Sequence, residues 1–529
     1  MYNRKLIIMK EKKQCFSRRQ FLCNFCVFSG AAMVAPGLIS CTPSNGNKKK
    51  NGLPKVKVIF GLHDDVQVKP DWPNVGYDMR PEMKTVMDSL NAAVPDVEFV
   101  PAKAAITEEA TTLITEDNAK GDISGYIVMQ MNISVDIIST ILENTEKPVL
   151  YTLLPYGGDG MWVQRTAKHI RSGQKNFEYM PAVDFQYVLK VAAAFSKLNG
   201  GGTEDVIKAA REIRLQLTPT VCKAKKREDK LALLSPEETL RKMNGMKILS
   251  VENPFDDEYK QKVKDAFGVD IIVVSLDEVN SETGKVDNMK ARLLADSWKK
   301  GADSIKDASD ETIFNAARLY YAMKTLLKKN DAQAITINCL TGVYSKKLCA
   351  YPCLGFMQLQ DEGLLGICEN DVDSTLTMMA FNIMTGRMGY VSDPVMDAPT
   401  RSVIYTHCVS TRKLLGQDGP TLPYEIMSHS EDRDGASVRA TVPIGYPLTT
   451  VKFNANKKIM AIHTATVTGN SRDDRACRTK IIAEVDGDYE KLYQQWDEFI
   501  WHRVTFFGDF AEEAVALAEK IGYEVRWEC

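Results

Sequence analysis

The chain has 529 residues, with 67 Lys or Arg against 69 Asp or Glu, and its formal net charge is −2 at pH 7. This balance, without a basic face or interleaved basic and aromatic residues, argues against a nucleic-acid partner. The length suffices for two or three domains.

The first 41 residues form an export signal. Seven basic residues and one acid precede residue 20, and Arg18-Arg19 is followed by the apolar pair Phe21-Leu22, which is the twin-arginine pattern. A moderately apolar run then ends in Leu38-Ile39-Ser40-Cys41, which matches a lipobox. We expect an exported protein of the periplasm or cell envelope, lipid-anchored through Cys41 and tethered by residues 42–52. A membrane anchor that is never cleaved is the alternative.

Cysteine usage gives no sign of a zinc site or a disulfide scaffold. Eight cysteines lie beyond the export signal, without paired metal-ligand spacing and too sparse for a network of disulfides. Folding in the cytosol before export is compatible with reduced thiols that pack in the interior.

The region after the tether predicts two α/β domains, at residues 53–170 and 171–340. Buried strands at 56–62, 97–100, 125–129 and 149–154 are separated by helical segments, as are those at 246–251, 270–274 and 334–339. Such alternation predicts βαβ units around parallel sheets, each a three-layer domain. The glycine-rich residues 156–161 are not followed by a helix with a lysine in the manner of a phosphate loop, and we interpret them as a mobile loop at the domain junction.

The last section, residues 341–529, is richer in strands. Residues 437–443, 448–454 and 458–467 alternate as in a β meander, and 480–485, 504–507 and 524–527 are further strands. Apolar residues at helical spacing between Tyr489 and Ile500 predict a core helix there, and residues 510–521 predict the final helix.

Acidic residues follow the apolar strands of this section. Glu369, Asp371 and Asp373 come directly after the apolar residues 364–368, and Asp393 lies in the next loop. A strand at 402–406 then ends at His407. Rigid strands end and clefts open at such positions, and Glu, Asp and His together are ligands of divalent metals such as Mn or Mg. The alternative is that these acids are helix caps and loop residues.

Several motifs of the last third of the chain occur in the order and spacing of the L-fucose and L-arabinose isomerase family, which the sequence therefore resembles. The motifs are Pro352-Cys353, Asp361-Glu362-Gly363, Cys368-Glu369-Asn370-Asp371, Ser392-Asp393-Pro394, Thr406-His407-Cys408, His429-Ser430-Glu431, Cys477-Arg478-Thr479, His502-Arg503-Val504 and Gly508-Asp509.

The resemblance implies two flavodoxin-like α/β domains, a β-rich α+β C-terminal domain, and a homo-oligomer, usually a hexamer. It also implies aldose–ketose isomerisation of a free sugar with one Mn²⁺ or another divalent cation. Glu369 and Asp393 match the family's carboxylate ligands and would also be catalytic. His502 matches the late histidine ligand, with His463 as the second choice. The resemblance further implies that His407, Asp371 and Arg503 contact the substrate.

Such an isomerase would move a proton between C1 and C2 through a cis-enediol. A cation stabilises the developing oxyanion, and two nearby carboxylates serve as base and acid. The second functional class is a non-catalytic, exported carbohydrate-binding lipoprotein derived from the same fold, because an export signal is unusual for a family that works in the cytoplasm. Chelator-insensitive sugar binding would distinguish it.

Overall fold

The structure, a computed structural model, describes residues 52–252 and 255–529. Leu53–Cys529 forms one compact unit. The predicted export signal, Cys41 and all but the last residue of the tether lie outside the described residues. No helix in the described part of the chain is long and apolar enough to span a membrane.

Residues 53–220, all of them described, form an α/β unit around a parallel sheet with the strand order β2-β1-β3-β4-β5. This order is that of flavodoxin-like folds. The strands are β1 (Lys55–Gly61), β2 (Glu98–Ala104), β3 (Ile123–Gln130), β4 (Val149–Leu153) and β5 (Phe177–Tyr179). The helices are α1 (Arg80–Ala93), α2 (Thr107–Lys120), α3 (Ile138–Glu143), α4 (Met161–Arg171), α5 (Phe185–Ala192) and α6 (Thr203–Leu217), with a 3-10 helix at Ala193–Asn199.

A second parallel sheet follows, with the order β10-β9-β6-β7. Its strands are β6 (Lys247–Val251), β7 (Asp270–Val274), β9 (Ala334–Ile337) and β10 (Leu365–Cys368), while β8 (Ser304–Lys306) pairs elsewhere. The helices are α7 (Pro236–Met243), α8 (Asp257–Phe267), α9 (Leu276–Gly284), α10 (Asn288–Gly301), α11 (Asp310–Lys329), α12 (Cys339–Tyr344) and α13 (Cys353–Asp361).

The C-terminal part is built on a closed antiparallel barrel. Six strands pair in the order β15-β18-β11-β12-β17-β16, β15 also pairs with β16, and β19 adds to β16. The strands are β11 (Tyr390–Asp397), β12 (Ser402–His407), β13 (Tyr424–Met427), β14 (Ser437–Ala440), β15 (Pro447–Asn454), β16 (Ile459–Asn470), β17 (Thr479–Val485), β18 (Arg503–Phe507) and β19 (Glu524–Trp527). The helices are α14 (Val372–Thr385), α15 (Leu492–Gln495) and α16 (Ala511–Lys520), with 3-10 helices at Ala398–Thr400, Tyr489–Lys491 and Trp496–Phe499; β14, β13 and β8 form a small sheet.

The predicted fold class, two parallel α/β units followed by a β-rich part, is confirmed. Strands β4 and β9 are buried at every position, as parallel strands covered on both faces should be. The second sheet takes its last strand, β10, from beyond residue 340, and the predicted domain limits themselves stay predictions.

The predicted core helix between Tyr489 and Ile500 is wrong in type. The structure has only one α-helical turn there, α15, between two 3-10 helices. The guanidinium of Arg503 donates to the carbonyl oxygens of Trp496 at 3.1 Å and Ile500 at 3.4 Å. Carbonyls held by a side chain in this way do not depend on a regular α-helical ladder. The predicted apolar face is buried except for Ile500, which is 39% exposed.

Candidate active site

Glu369 sits at the C-terminal edge of the second sheet, in a tight turn between β10 and α14. Glu369 and Asn370 both have left-handed backbone angles, φ 63° and 52°, which cost about 1–3 kcal/mol for each non-glycine residue. Asn370 holds the turn, since its amide side chain donates to the carbonyl of Val251 at 2.9 Å and its backbone N–H donates to Ile337 at 3.0 Å. The turn places Glu369 where the parallel strands end.

Three neighbouring barrel strands supply the other groups. Asp393 in β11 lies opposite Thr406 of β12, so it is next to His407 at the end of that strand. Ser392 pairs with Arg503 of β18, which places His502, the residue before β18, beside Asp393. The strand register therefore brings together residues that are more than 100 positions apart in the chain.

The side chains converge around one point. Glu369 Oε1 lies 3.6 Å from His407 Nε2, and Glu369 Oε2 lies 3.6 Å from His502 Nε2. Asp393 Oδ1 is 3.7 Å from the same His502 nitrogen. Donor atoms of Glu369, His407 and His502 all lie within 4.8 Å of one another. Ligands bound at roughly 2.0–2.2 Å to one ion have donor atoms about 3 to 4 Å apart, so these separations suit a shared cation.

The donors also have the chemistry of a metal site. The side chain of His407 is 3% exposed and that of His502 is 0% exposed, yet both ring nitrogens of His407 and Nε2 of His502 lack hydrogen-bond partners among the described atoms. A buried polar atom without a partner costs about 1–3 kcal/mol. A divalent cation would satisfy these nitrogens, and mixed imidazole and carboxylate ligands suit Mn, Zn or Fe.

A buried ion pair contacts the Nδ1 side of the His502 ring. Asp371 caps α14, and its Oδ2 atom lies 2.9 Å from His502 Nδ1 and 2.5 Å from the ammonium nitrogen of Lys452 in β15. Lys452 is 0% exposed. A carboxylate that accepts from Nδ1 directs the free Nε2 atom toward the cluster, as in other carboxylate–histidine–metal arrangements. Asp371 therefore faces His502 and Lys452, a position that orients a ligand.

Neighbouring charges set the ionisation of the cluster. Burial raises the pKa of Glu369, but the imidazoles of His502 and His407 outweigh it and hold the pKa below its ordinary value. Burial raises the pKa of Asp393 to about 6, and the carboxylate of Glu369 adds to the rise. Burial lowers the pKa of His407, but Glu369 raises it to about 9. Two close carboxylates thus have pKa values on opposite sides of the ordinary range.

Two residues considered in the sequence analysis lie away from the cluster. Arg503 forms an ion pair with Glu528 at 2.6 Å and stacks on Trp496 at 4.0 Å. His463 Nδ1 lies 2.9 Å from the other oxygen of Glu528, and its Nε2 is 2.7 Å from the hydroxyl of Tyr405. Both side chains thus belong to a buried barrel network, which differs from the substrate contact expected of Arg503.

Lys452 is the site residue that sequence reasoning missed. It stands in β15, where every residue from Pro447 to Phe453 is buried and the period of two places its side chain on the same face as Thr450. A lysine at an inward position of such a strand is a detectable signal, because an unpaired lysine is almost never buried.

The chain has distant sequence similarity to sugar isomerases. A stretch of 188 residues, 32% of this chain, is 23% identical to sulfoquinovose isomerase of Priestia aryabhattai and covers 42% of it; the same values hold for the sulfoquinovose isomerase of Priestia megaterium. A sulfoquinovose isomerase of Alkalicoccus urumqiensis is 22% identical over 149 residues, covering 28% of this chain and 33% of that protein. The match spans less than half of each relative, and no protein-family model matches the chain.

Among solved structures, an ABC-transporter solute-binding protein of Burkholderia multivorans aligns over 56% of this chain and 86% of its own, with 8% identity and a TM-score of 0.17. One from Bacillus halodurans with bound myo-inositol aligns over 60% and 92%, with 12% identity and a TM-score of 0.18. TM-scores this low carry no argument.

Proposed function

We propose that this protein is a metal-dependent aldose–ketose isomerase that acts on a free sugar through a cis-enediol. The observation that carries the proposal is the convergence of Glu369 and Asp393 on His407 and His502, with separations of 3.6 to 3.7 Å. The distant similarity to sulfoquinovose isomerases supports the same reaction class. An export signal would be unusual for such an enzyme, but it would not alter the chemistry of the cluster.

Glu369, His502 and either His407 or Asp393 are the residues that would hold the cation. Mn²⁺ or another divalent ion, when bound, supplies Lewis-acid polarisation of the sugar carbonyl and offsets negative charge on its oxygen. The chain itself orients these donors, because Asp371 and Lys452 fix the ring of His502. The barrel strands keep the site on rigid backbone.

The two carboxylates have different roles in the proton transfer. Glu369, whose pKa is held low, is ionised at neutral pH and is placed to accept the proton that leaves the sugar carbon. Asp393, with a pKa of about 6, can take up and return a proton at its carboxyl oxygen. Because each charge opposes ionisation of the other, the two carboxyls lose their protons over different pH ranges, Glu369 at the lower pH.

The test is a panel of aldoses and ketoses incubated with the Mn²⁺-loaded protein in D₂O. We expect deuterium at C1 or C2 of the product. Glu369→Gln and Asp393→Asn should each lower kcat/KM by about 100- to 10,000-fold while thermal unfolding of the metal-free protein shifts little. Near-parental turnover by both variants would place the active site elsewhere. Sugar binding that a chelator does not weaken, without incorporation of solvent deuterium into the sugar, would instead establish the carbohydrate-binding lipoprotein.

We also propose that the protein is exported, lipid-anchored through Cys41, and assembled as a homo-oligomer, a hexamer by the family resemblance. Replacing Arg18 and Arg19 with Lys should retain the precursor in the cytosol, and Cys41→Ala should abolish acylation. Unaltered membrane association of the Cys41 variant would contradict the lipobox. Light scattering of the purified protein tests the oligomeric state.

A further inference from the structure

Two buried cysteines lie beside each other at the end of the barrel strand that leads to His407. Cys408 is the first residue after β12, and Cys477 lies two positions before the start of β17. These strands are antiparallel neighbours, and their last pair is His407 with Thr479. Cys408 is 3% exposed and Cys477 is 5% exposed. The proposed isomerisation uses neither thiol.

One buried hydroxyl group contacts both sulfur atoms. Cys408 Sγ lies 3.4 Å from Ser430 Oγ, and the same hydroxyl lies 3.7 Å from Cys477 Sγ. Ser430 is fully buried. The two thiols also hydrogen-bond to each other, and this contact, together with burial, raises the pKa of Cys477 well above its ordinary value. The two sulfur atoms are therefore close neighbours in the interior, although they come from distant parts of the chain.

The backbone brings these two residues within the reach of a disulfide. Thr406 Oγ1 donates to the carbonyl oxygen of Cys477 at 3.1 Å, so Cys477 lies alongside β12. Extension of the register between β12 and β17 would place Arg478 opposite Cys408, and Cys477 is one position away. Opposed residues of antiparallel strands have Cα atoms about 4.5–5.5 Å apart, and disulfides join Cα atoms about 4.4–6.8 Å apart. The spacing of the two strands therefore suits a cross-link.

The segments that hold this pair can adjust to a shorter sulfur–sulfur separation. An S–S bond is about 2.05 Å long, so the two sulfur atoms must approach each other when it forms. The described segments 408–423, 428–436 and 471–478 connect strands and contain no helix or strand of their own. Ala476, with a left-handed φ of 55°, turns the chain just before Cys477. Connecting segments of this kind accommodate small shifts more easily than a regular strand does.

The other buried cysteines stand in regular elements. Cys339 is the first residue of α12, Cys353 is the first residue of α13, and Cys368 is the last residue of β10. Helical and ladder hydrogen bonds fix the backbone at these positions, so bringing two of their sulfur atoms to bonding distance would disturb a helix or a strand. Cys408 and Cys477 are therefore the pair best placed to form a disulfide.

We propose that Cys408 and Cys477 are a modification site at which a low-molecular-weight disulfide oxidises the two thiols to an intramolecular disulfide that stabilises the fold. One thiol loses its proton, and its sulfur attacks the reagent, which releases one half as a thiol. The second protein thiol loses its proton, attacks the mixed disulfide and releases the other half. Two protein S–H bonds are thus exchanged for one S–S bond, and the reagent is reduced to two thiols.

The cross-link would close a loop that contains strands β13 to β16. A cross-link of this length restricts the unfolded chain, so the oxidised protein should unfold at a urea concentration that is higher by about 0.5 M or more. Disulfides persist in oxidising compartments and are rare in the cytosol. The proposed export would therefore place the folded chain where this bond lasts.

The experiment treats the reduced full-length protein with a mixture of cystamine, a small disulfide, and its thiol. One sample stays folded, and a second is refolded from urea in the same mixture so that burial does not protect the thiols. After the free thiols are alkylated, mass spectrometry without reduction maps the cross-links. We expect Cys408 and Cys477 in one linked pair of peptides. In the folded sample the exposed Cys349 should form only a mixed disulfide, about ten-fold faster or more, which shows that the reagent is active.

Cys408→Ser and Cys477→Ser should each abolish the linked pair and the gain in urea midpoint. Cys353→Ser, at another buried cysteine, is the matched control that should keep both. If a serine variant does not fold, Cys408→Ala and Cys477→Ala carry the test.

A disulfide of either residue with a different cysteine, or absence of the linked pair from the refolded sample, would overturn the site. A pair found only in the refolded sample supports the site and shows that the bond forms before the thiols are buried. A linked pair with an unchanged urea midpoint would overturn its stabilising role.

Discussion

His502 Nδ1 lies 2.9 Å from Asp371 Oδ2, and the same oxygen lies 2.5 Å from the ammonium of Lys452. Burial opposes ionisation of Asp371, but the charge of Lys452 outweighs it and holds the pKa of Asp371 below its usual range. Asp371 thus remains a carboxylate and accepts from Nδ1, and Nε2 of His502 is left as the atom that faces Glu369. One buried pair therefore fixes both the orientation and the tautomer of the ring.

Replacing Asp371 should weaken metal binding without removing a ligand. In Asp371→Ala nothing accepts from His502 Nδ1, so the ring loses its fixed orientation. Loss of the residue that hydrogen-bonds a metal ligand typically lowers metal affinity about 10- to 100-fold. Competition between Mn²⁺ and a chelator, followed by electron paramagnetic resonance, measures the loss. Asp397→Asn, a buried acid at the far end of β11, is the control. Equal affinities would show that Asp371 does not support the ligand.

Lys452→Met should destabilise the fold even though methionine fills most of the same space. The substitution leaves Asp371 buried without the charge of Lys452, and breaking a buried ion pair costs about 3–5 kcal/mol. The double variant with Asp371→Asn should lose less than the sum of the single losses, because it removes both charges. Urea unfolding of the metal-free protein gives these free energies. An additive double variant would mean that the two residues are not coupled.

Local patterns in the sequence were sufficient for most strands of the two parallel sheets, although the short strand β5 was not predicted. Strands β1, β3, β4 and β6 stand where β-branched runs alternate with helical segments, and parallel strands buried on both faces give continuous apolar runs. The turn after β10 also follows from composition, because an apolar strand runs directly into acids there. Glu369 and Asp393 were selected by resemblance, and the structure places them beside one another.

Contacts between distant parts of the chain determine the side-chain positions that local sequence patterns could not predict. Arg503 follows His502 in the chain, yet alternation along β18 turns it into the barrel toward Glu528, a residue 25 positions away. His407 and His502 meet because two antiparallel strands flank β11, and no spacing in the chain encodes that register.

The two candidate late histidines should differ in their effect on metal content. His502→Ala removes a donor from the cluster, so Mn²⁺ content should fall by more than about ten-fold. His463→Ala removes a ring that is bonded to Glu528 and Tyr405, so it should lower the unfolding free energy by about 1–3 kcal/mol and leave metal content unchanged. Elemental analysis of both folded variants measures this. Metal loss in the His463 variant alone would reverse the assignment.

Metal binding should release a proton. In the metal-free protein His407 has a pKa of about 9, so it is mainly protonated at pH 7, and an imidazole must be neutral to bind a cation. If His407 is a ligand, affinity for Mn²⁺ should rise about ten-fold per pH unit toward pH 9, as one proton is displaced. Calorimetry at pH 7 in buffers of different ionisation enthalpy counts the protons. The His407→Ala variant should not release this proton when Mn²⁺ binds. No release by the parent would assign His407 to substrate contact instead.

Asp159 should make the fold less stable as the pH rises. Its carboxyl is 1% exposed, Oδ1 has no partner among the described atoms, and burial raises its pKa to about 8. An unfolded Asp titrates near pKa ~3.9. Between these two values the folded chain holds a proton that the unfolded chain has lost, so stability falls as the pH rises from about 4 to about 8. Asp159→Asn keeps a side-chain oxygen that accepts from the N–H of Tyr156, but its amide does not ionise. The variant should match the parent near pH 4 and exceed its unfolding free energy by on the order of 2–4 kcal/mol at pH 8. Urea unfolding at both pH values measures this, with the exposed Asp122→Asn as the control that should show no such gain. A constant difference between variant and parent across this range would mean that Asp159 is ionised in the folded protein.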